Sequence, residues 1–198
     1  HIQDSHLSNS AAVGIGIGTH NASIFISRVE IGHMLAGISF SEGTISITDS
    51  RIHDTETGIY NSAGGNLTAE SNTFSNNKYP FYLSPNVNFV HANNTAQNNE
   101  TNGIIMNGQT NQDRRWMIDS MPYVVFSTPA TQTVLIQQGT TLSIDPGVVV
   151  KFFYQYSKII VAGTLNANGT KEQPIYFTSI RDDSVGGNAS SDSRHDTN

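Results

Sequence analysis

The chain has 198 residues, enough for one domain or two small ones. Charged residues make up 13%, about half the usual share, and the net charge is only −6; Asn, Ser, Thr and Gly fill the gap while Ile, Val, Phe and Tyr stay plentiful. This balance excludes a disordered chain, zero cysteines exclude disulfides and thiol chemistry, and 10 basic against 16 acidic residues leave no patch for nucleic acid. No apolar run approaches the roughly 20 residues of a membrane-spanning helix.

The first half of the chain repeats. Thr44-Ile-Ser-Ile-Thr-Asp-Ser-Arg-Ile52 follows Ser23-Ile-Phe-Ile-Ser-Arg-Val-Glu-Ile31 at a spacing of 21, and precedes the units at Asn66–Asn77 and Asn88–Asn99 at spacings of 22. Each unit alternates apolar and polar positions, then continues as Gly37-Ile-Ser-Phe40, Gly58-Ile-Tyr-Asn61, Pro80-Phe-Tyr-Leu83 or Gly103-Ile-Ile-Met106. Period-two alternation makes these short strands with one buried face, and the Asn, Gly and Ser clusters make the turns. A period near 22 built of strands and turns alone is one coil of a parallel β-solenoid.

Stacked units give columns. Ile2, Ile26, Ile47, Ala69 and His91 share one inward column; Leu7, Ile31, Ile52, Phe74 and Ala96 a second; Ile15, Ile38, Ile59, Phe81 and Ile104 a third. Ser5, Val29, Ser50, Asn72 and Asn94 fall in a column of small and amide residues, suited to satisfying buried backbone groups at a turn. His91 fits its column badly, and the expectation is a register slip in that coil.

The pattern stops near Asn107, so residues 108–132 are expected to be a connection between coils at 1–107 and a second segment at 133–198. That second segment shows strands broken by Pro-Gly and Ala-Gly corners, with an apparent spacing near 17 between Ile144 and Val161. Its string Gly139-Thr-Thr-Leu-Ser-Ile-Asp-Pro-Gly-Val-Val-Val-Lys-Phe152, then Val161-Ala-Gly-Thr-Leu-Asn-Ala167, Gln173-Pro-Ile-Tyr-Phe-Thr-Ser179 and Gly186-Gly187, resembles the opening module of right-handed parallel β-helix proteins of bacterial surfaces and secretions. The first segment resembles a generic right-handed β-helix, the architecture shared by pectate-lyase-like enzymes and many adhesins. The resemblance implies fold far more than activity. The expected fold is all-β, a right-handed parallel β-helix with coils of 21–24 residues. His1-Ile2 enters mid-coil and Asn198 leaves mid-loop, which suggests an excerpt of a longer polypeptide that supplies further coils.

Four features carry candidate chemistry. Asp4, Arg28 and Asp49 stack outward, as do His6, Glu30 and Arg51; alternating signs on neighbouring coils suit cross-coil pairing better than a lyase centre. Ser39, Tyr60, Tyr82 and Ile105 share an outward column, where Tyr60 and Tyr82 form either a sugar-stacking face or a ladder packed on itself. The loop Arg181-Asp-Asp-Ser-Val-Gly-Gly187, with Asp192 and Asp196 beyond it, offers Asp182 and Asp183 as oxygen ligands for Ca2+ or as an ordinary solvated loop. The seven histidines show no metal spacing, although His33 and Asp54 fall in one column. No catalytic residue stands out. The expected role is a non-catalytic structural or adhesive scaffold, extracellular or at the cell surface, with polysaccharide or another surface protein as partner. The alternatives are a polysaccharide lyase or glycoside hydrolase, or a carbohydrate-binding surface at the Tyr60/Tyr82 face.

Overall fold

The computed structural model describes residues 1–127 and 133–191. Its backbone winds into about seven turns of a right-handed parallel β-solenoid, and no helix occurs among the described residues. One sheet stacks Ile2–Gln3, Ser23–Ser27, Thr44–Thr48, Asn66–Glu70 and Asn88–Ala92. A second begins with the long bent strands His6–Ile17, Glu30–Phe40 and Arg51–Asn61 and then divides. One branch carries Thr73–Ser75 and Thr95–Gln97, and the other carries Tyr79–Leu83, Ile104–Met106, Tyr123–Val125, Val149–Phe152 and Tyr176–Ser179. Two three-stranded sheets complete the later coils.

The three apolar columns pair in the expected register. Ile31, Ile38, Ile45, Ile47, Ile52, Ile59, Phe74 and Phe81 are fully buried within one continuous core. Each such side chain contributes roughly 1.5–3 kcal/mol by leaving water.

Corners are set by two parallel sets of residues with positive φ. Asp4, Arg28, Asp49, Ser71 and Asn93 turn one corner, and Asn9, His33, Asp54, Asn76 and Asn98 the next. Most of these are Asn or Asp, which tolerate the left-handed region best among residues with a side chain. Immediately after each corner stands a buried amide ladder. Asn72 Oδ1 accepts from Ser50 N, Asn94 Oδ1 accepts from Asn72 N, and their Nδ2 groups donate to the carbonyls of Ile47 and Ala69. Five residues on, Asn77 and Asn99 repeat the arrangement against Thr55, Ile52 and Phe74, an internal ladder that the column reading missed.

The Gly-apolar-x-apolar segments also have a steric reason. A Cβ at Gly14, Gly37 or Gly58 would lie 2.7, 2.7 or 2.6 Å from the carbonyl oxygen of the residue beside it on the next coil, Gly37, Gly58 and Pro80 respectively. Backbones approach so closely there that only hydrogen fits.

Three expectations need correction. His91 does not slip: it pairs with Ala69 in register and is buried, because Asp119 and Tyr123 supply partners for its ring. Its Nδ1 lies 2.5 Å from Asp119 Oδ2 and its Nε2 lies 2.8 Å from the Tyr123 hydroxyl, which also accepts from Met117 N. The spacing near 17 compares two different sheets, since Ile144 pairs with Ala167 while Val161 pairs with Ile136. True spacing in this half is longer, 23 from Leu142 to Leu165 and 27 from Val150 to Phe177. Finally, the described part of 108–132 is itself strand-bearing, with Gly108–Thr110, Arg114–Trp116 and Tyr123–Val125. Ile104 pairs with Tyr123 and Tyr123 with Val150, so one ladder crosses the stretch expected to be a connection.

Candidate functional site

The outward column on the sheet's long branch runs Gly16, Ser39, Tyr60, Tyr82, Ile105, Val124, Lys151 and Thr178, each paired with the next. Its two ends differ. Tyr60 is exposed and Tyr82 partly so, but Ile105, Val124 and Lys151 are fully buried although they point out of the solenoid. The segment after Ile180 folds back over them. Ala189 O accepts from Asn102 N at 3.0 Å, Ser191 N donates to Glu100 O at 2.9 Å, and Thr101 bridges Ser190 antiparallel. Ile180 and Ala189 pack on Ile105 and Val124 as a second, smaller core.

Asp182 and Asp183 lie in this returning segment. The Lys151 Nζ reaches into it and donates to the carbonyls of Asp182 and Gly187, each at 2.6 Å. Burial pushes the Lys151 ammonium below its usual range, partly offset by Asp183 and Asp182. The Asp182 carboxylate accepts from the Ser184 hydroxyl, the Thr178 hydroxyl and Ser184 N, and these hydrogen bonds hold it below the usual carboxylate range. The loop is therefore folded around the Lys151 ammonium, held by two of its backbone carbonyls. Asp192 and Asp196 lie outside the described residues.

Beside this second core the aromatic rings connect, from the exposed Tyr60 through the part-buried Tyr82 and Tyr79 to Phe126, which is itself buried in that core. Tyr60 lies 5.7 Å from Tyr82, Tyr82 lies 5.9 Å from Tyr79, and both Tyr79 and Tyr82 lie 6.1 Å from Phe126. Phe126 in turn contacts Phe153 at 5.0 Å and Tyr154 at 5.4 Å. These separations are those of favourable tilted and edge-on pairs, so the rings hold one another in place. Lys78 sits over the Tyr79 ring at 5.4 Å. Burial, helped by Glu100, pushes the Tyr79 phenol up to about 12, and burial raises Tyr82 as well, so both stay neutral hydroxyls. The run ends in a cleft of about 920 Å3 bordered by Phe153, Tyr154, Tyr156, Phe177, Ile180 and Arg181. A smaller hollow of about 380 Å3 adjoins it at Glu100, Ser190 and Ser191.

Tyr60 and Tyr82 are thus brought together as expected, on a face longer than the two of them. Tyr79, Phe126, Phe153 and Tyr154 do not stand out in the sequence, and Arg181 does so only as the first residue of the loop that carries Asp182 and Asp183. Tyr79 and Tyr82 flank Pro80-Phe81 and could have been read as a pair, but the later coils change length, so nothing in their spacing places Phe126 or Tyr154 beside them. The charge columns pair across coils: Arg28 with Asp4 at 2.7 Å, His6 and Arg51 with Glu30 at 3.1 Å, and further on Arg115 with Asp145 at 2.6 Å.

Parallel strands stacked in register, amide ladders at the corners and a single axial core define a parallel β-solenoid. Residues 1–113 match the family model described as the right handed beta helix region, which covers more than half of the chain. The chain belongs to that family. No curated protein and no solved structure matches it. Membership supports a structural or polysaccharide-related role and reaches no further, because this fold hosts many activities. No helix of the described residues is long and apolar enough to cross a membrane.

Proposed function

We propose that this chain is a rigid, non-catalytic segment of a secreted or cell-surface scaffold, and that its outward aromatic face holds polysaccharide. The observation that carries this reading is the set of rings Tyr60, Tyr82 and Tyr79, joined through the buried Phe126 to the exposed Tyr154, beside the cleft at Arg181. A sugar ring presents a face of C–H groups that packs on an aromatic ring, while its rim of hydroxyls needs hydrogen-bond partners. Neutral phenols at Tyr79 and Tyr82, with Lys78, Glu100 and Arg181 nearby, supply both kinds of contact. Strands one coil apart stand about 4.8 Å from each other, so a glycan laid along the axis over Tyr60 and Tyr82 meets a new coil with roughly each sugar unit, up to the segment that covers Ile105 and Val124. Because every ring is already packed against its neighbours, binding costs little side-chain ordering.

Glycan-array binding and affinity electrophoresis with soluble polysaccharides test this. Tyr60→Ala, Tyr82→Ala and Tyr154→Ala should each weaken binding by about tenfold, the effect of losing one aromatic contact of roughly 1.4 kcal/mol. Binding that survives all three replacements would refute the aromatic face. Release of unsaturated or reducing-end products from polyuronates or neutral glycans, with or without Ca2+, would refute the non-catalytic part.

A further inference from the structure

A different corner of the solenoid gathers four ionisable side chains from two adjacent coils. Gly32 and His53 face each other across the ladder, which sets His33 beside Asp54. A Cβ at position 32 would fall 2.5 Å from His53 Cε1, so the missing side chain is what lets the His53 ring lie against the neighbouring backbone. The His53 side chain is only 8% exposed, and both its nitrogens face carboxylates: Nδ1 lies 2.6 Å from Asp54 Oδ2 and Nε2 lies 3.0 Å from Glu30 Oε1. The exposed His33 ring stands edge-on to His53 at 5.4 Å. Ligand atoms of His33, His53 and Asp54 all lie within 4.8 Å of one another.

The corner itself adds a second observation. Its positive-φ position is Asn in three coils, at Asn9, Asn76 and Asn98, and departs from Asn only at His33 and Asp54, which are neighbours. Two side chains able to bind a metal replace the amide on adjacent coils, against a buried imidazole oriented by a carboxylate.

The geometry points to a binding site for one divalent transition ion of the Zn2+ type, held by His33, His53 Nδ1 and Asp54. Two imidazoles and a carboxylate with an open fourth position form a set that Zn2+ accepts, at about 2.0–2.2 Å from each donor. Tetrahedral geometry at those lengths separates donors by about 3.3 Å, so the solvent-facing His33 side chain must swing inward by roughly an ångström. Glu30 accepts the Nε2 proton of His53, which aims the Nδ1 lone pair at the ion and makes Glu30 a positioning residue. Ca2+ and Mg2+, which prefer all-oxygen shells, are disfavoured by the two nitrogens. The other groups facing the cluster are Arg51 and His6, which pair with Glu30, and Asn76, which hydrogen-bonds Asp54. Bound there, the ion joins the strand from Glu30 to the strand from Arg51.

The test is calorimetric titration of the whole 198-residue chain, first freed of metal with EDTA, using ZnCl2, with Co2+ visible absorption as a report on coordination. One Zn2+ per chain and Co2+ bands of tetrahedral intensity are expected. His33→Ala and Asp54→Asn should each weaken Zn2+ affinity by at least tenfold, and Glu30→Gln by about 10- to 100-fold. Tyr60→Ala should leave it unchanged. At free Zn2+ 100-fold above Kd the unfolding equilibrium constant should fall about 100-fold, lost again in His33→Ala. Because His53 is buried and its replacement can unfold the corner, the exposed His33 variant decides. Absence of stoichiometric uptake would overturn the proposal. So would uptake undiminished in His33→Ala and Asp54→Asn, which would place the ion elsewhere, for instance at His20 and Glu42.

Discussion

Replacing Asn77 by Ala removes one rung of the internal amide ladder, and the cost can be worked out atom by atom. The Asn77 carboxamide accepts from Thr55 N at 3.1 Å and Thr55 Oγ1 at 2.7 Å, and donates to Ile52 O at 3.0 Å and Asn99 Oδ1 at 3.1 Å. Asn99 Oδ1 keeps the backbone N–H of residue 77 at 2.8 Å and is not orphaned. The Thr55 N–H and hydroxyl, and one acceptor site of Ile52, are left without a partner inside the solenoid. A buried polar group so stranded costs roughly 1–3 kcal/mol, and water entering the vacated space recovers part of it, so a loss of about 3–5 kcal/mol is expected. Asn88→Ala is the control, because the Asn88 amide makes an exposed bond to Asn66 and should cost no more than about 0.5 kcal/mol. Urea unfolding followed by far-UV circular dichroism and by fluorescence of the single, buried Trp116 reads both effects, with a midpoint drop of roughly 1.5 M for Asn77→Ala. Two probes are needed because a solenoid can unfold coil by coil. An Asn77→Ala loss no greater than that of Asn88→Ala would refute the view that the amides carry buried backbone groups.

Desolvation alone would raise the Asp119 carboxyl, but the His91 contact and the Ser120 donors outweigh it and hold the group below its usual range. Its contribution is therefore complete above the unfolded value near 4 and is lost as pH falls through the lower folded value; Asp119→Asn should weaken the fold at pH 7 and flatten the acid decline of the urea midpoint, and an unchanged decline would contradict this. Gly58→Ala should cost about 1–3 kcal/mol by thermal or urea unfolding, since its Cβ meets the Pro80 carbonyl, whereas Gly16→Ala, with nothing within 4 Å, should be tolerated. Lys151→Ala should release the segment from Asp182 to Ser191. Hydrogen exchange at the Asn102 and Ser191 amides would then accelerate while the Ile45 and Ile47 amides stay protected, and unaltered exchange would show that Lys151 does not hold the flap.

What the sequence revealed followed from the regularity of the coil. Ile26, Ile47 and Ala69 stack by sequence alone because 21- and 22-residue spacings repeat with an unambiguous apolar phase. The second amide ladder was present in the same strings, as Asn76-Asn77 and Asn98-Asn99. Paired Asn residues read first as turn formers, and nothing local says that the second of each points inward. His91 was misjudged because its partners lie in a coil of irregular length: Asp119 is 28 residues on and Tyr123 is 32. The candidate face shows the same boundary. Tyr60 and Tyr82 were legible by alternation, whereas Phe126 and Tyr154 arrive from coils of 19 and 27 residues. No local pattern announces that 181–191 returns to cover Ile105 and Val124, because that contact is tertiary.

The paired corners and amide ladders make the layer, rather than the residue, the unit in which this molecule is built. The strands Asn66–Glu70 and Thr73–Ser75 pair with Asn88–Ala92 and Thr95–Gln97 at a constant 22 positions, so one residue inserted inside such a strand would turn the rest of it over and put its oily side in water. Insertion of a whole winding, by contrast, disturbs no column, and the later coils absorb five extra residues at their bends without losing alignment. Such a molecule can be lengthened in units of one layer, each adding the same increment of height.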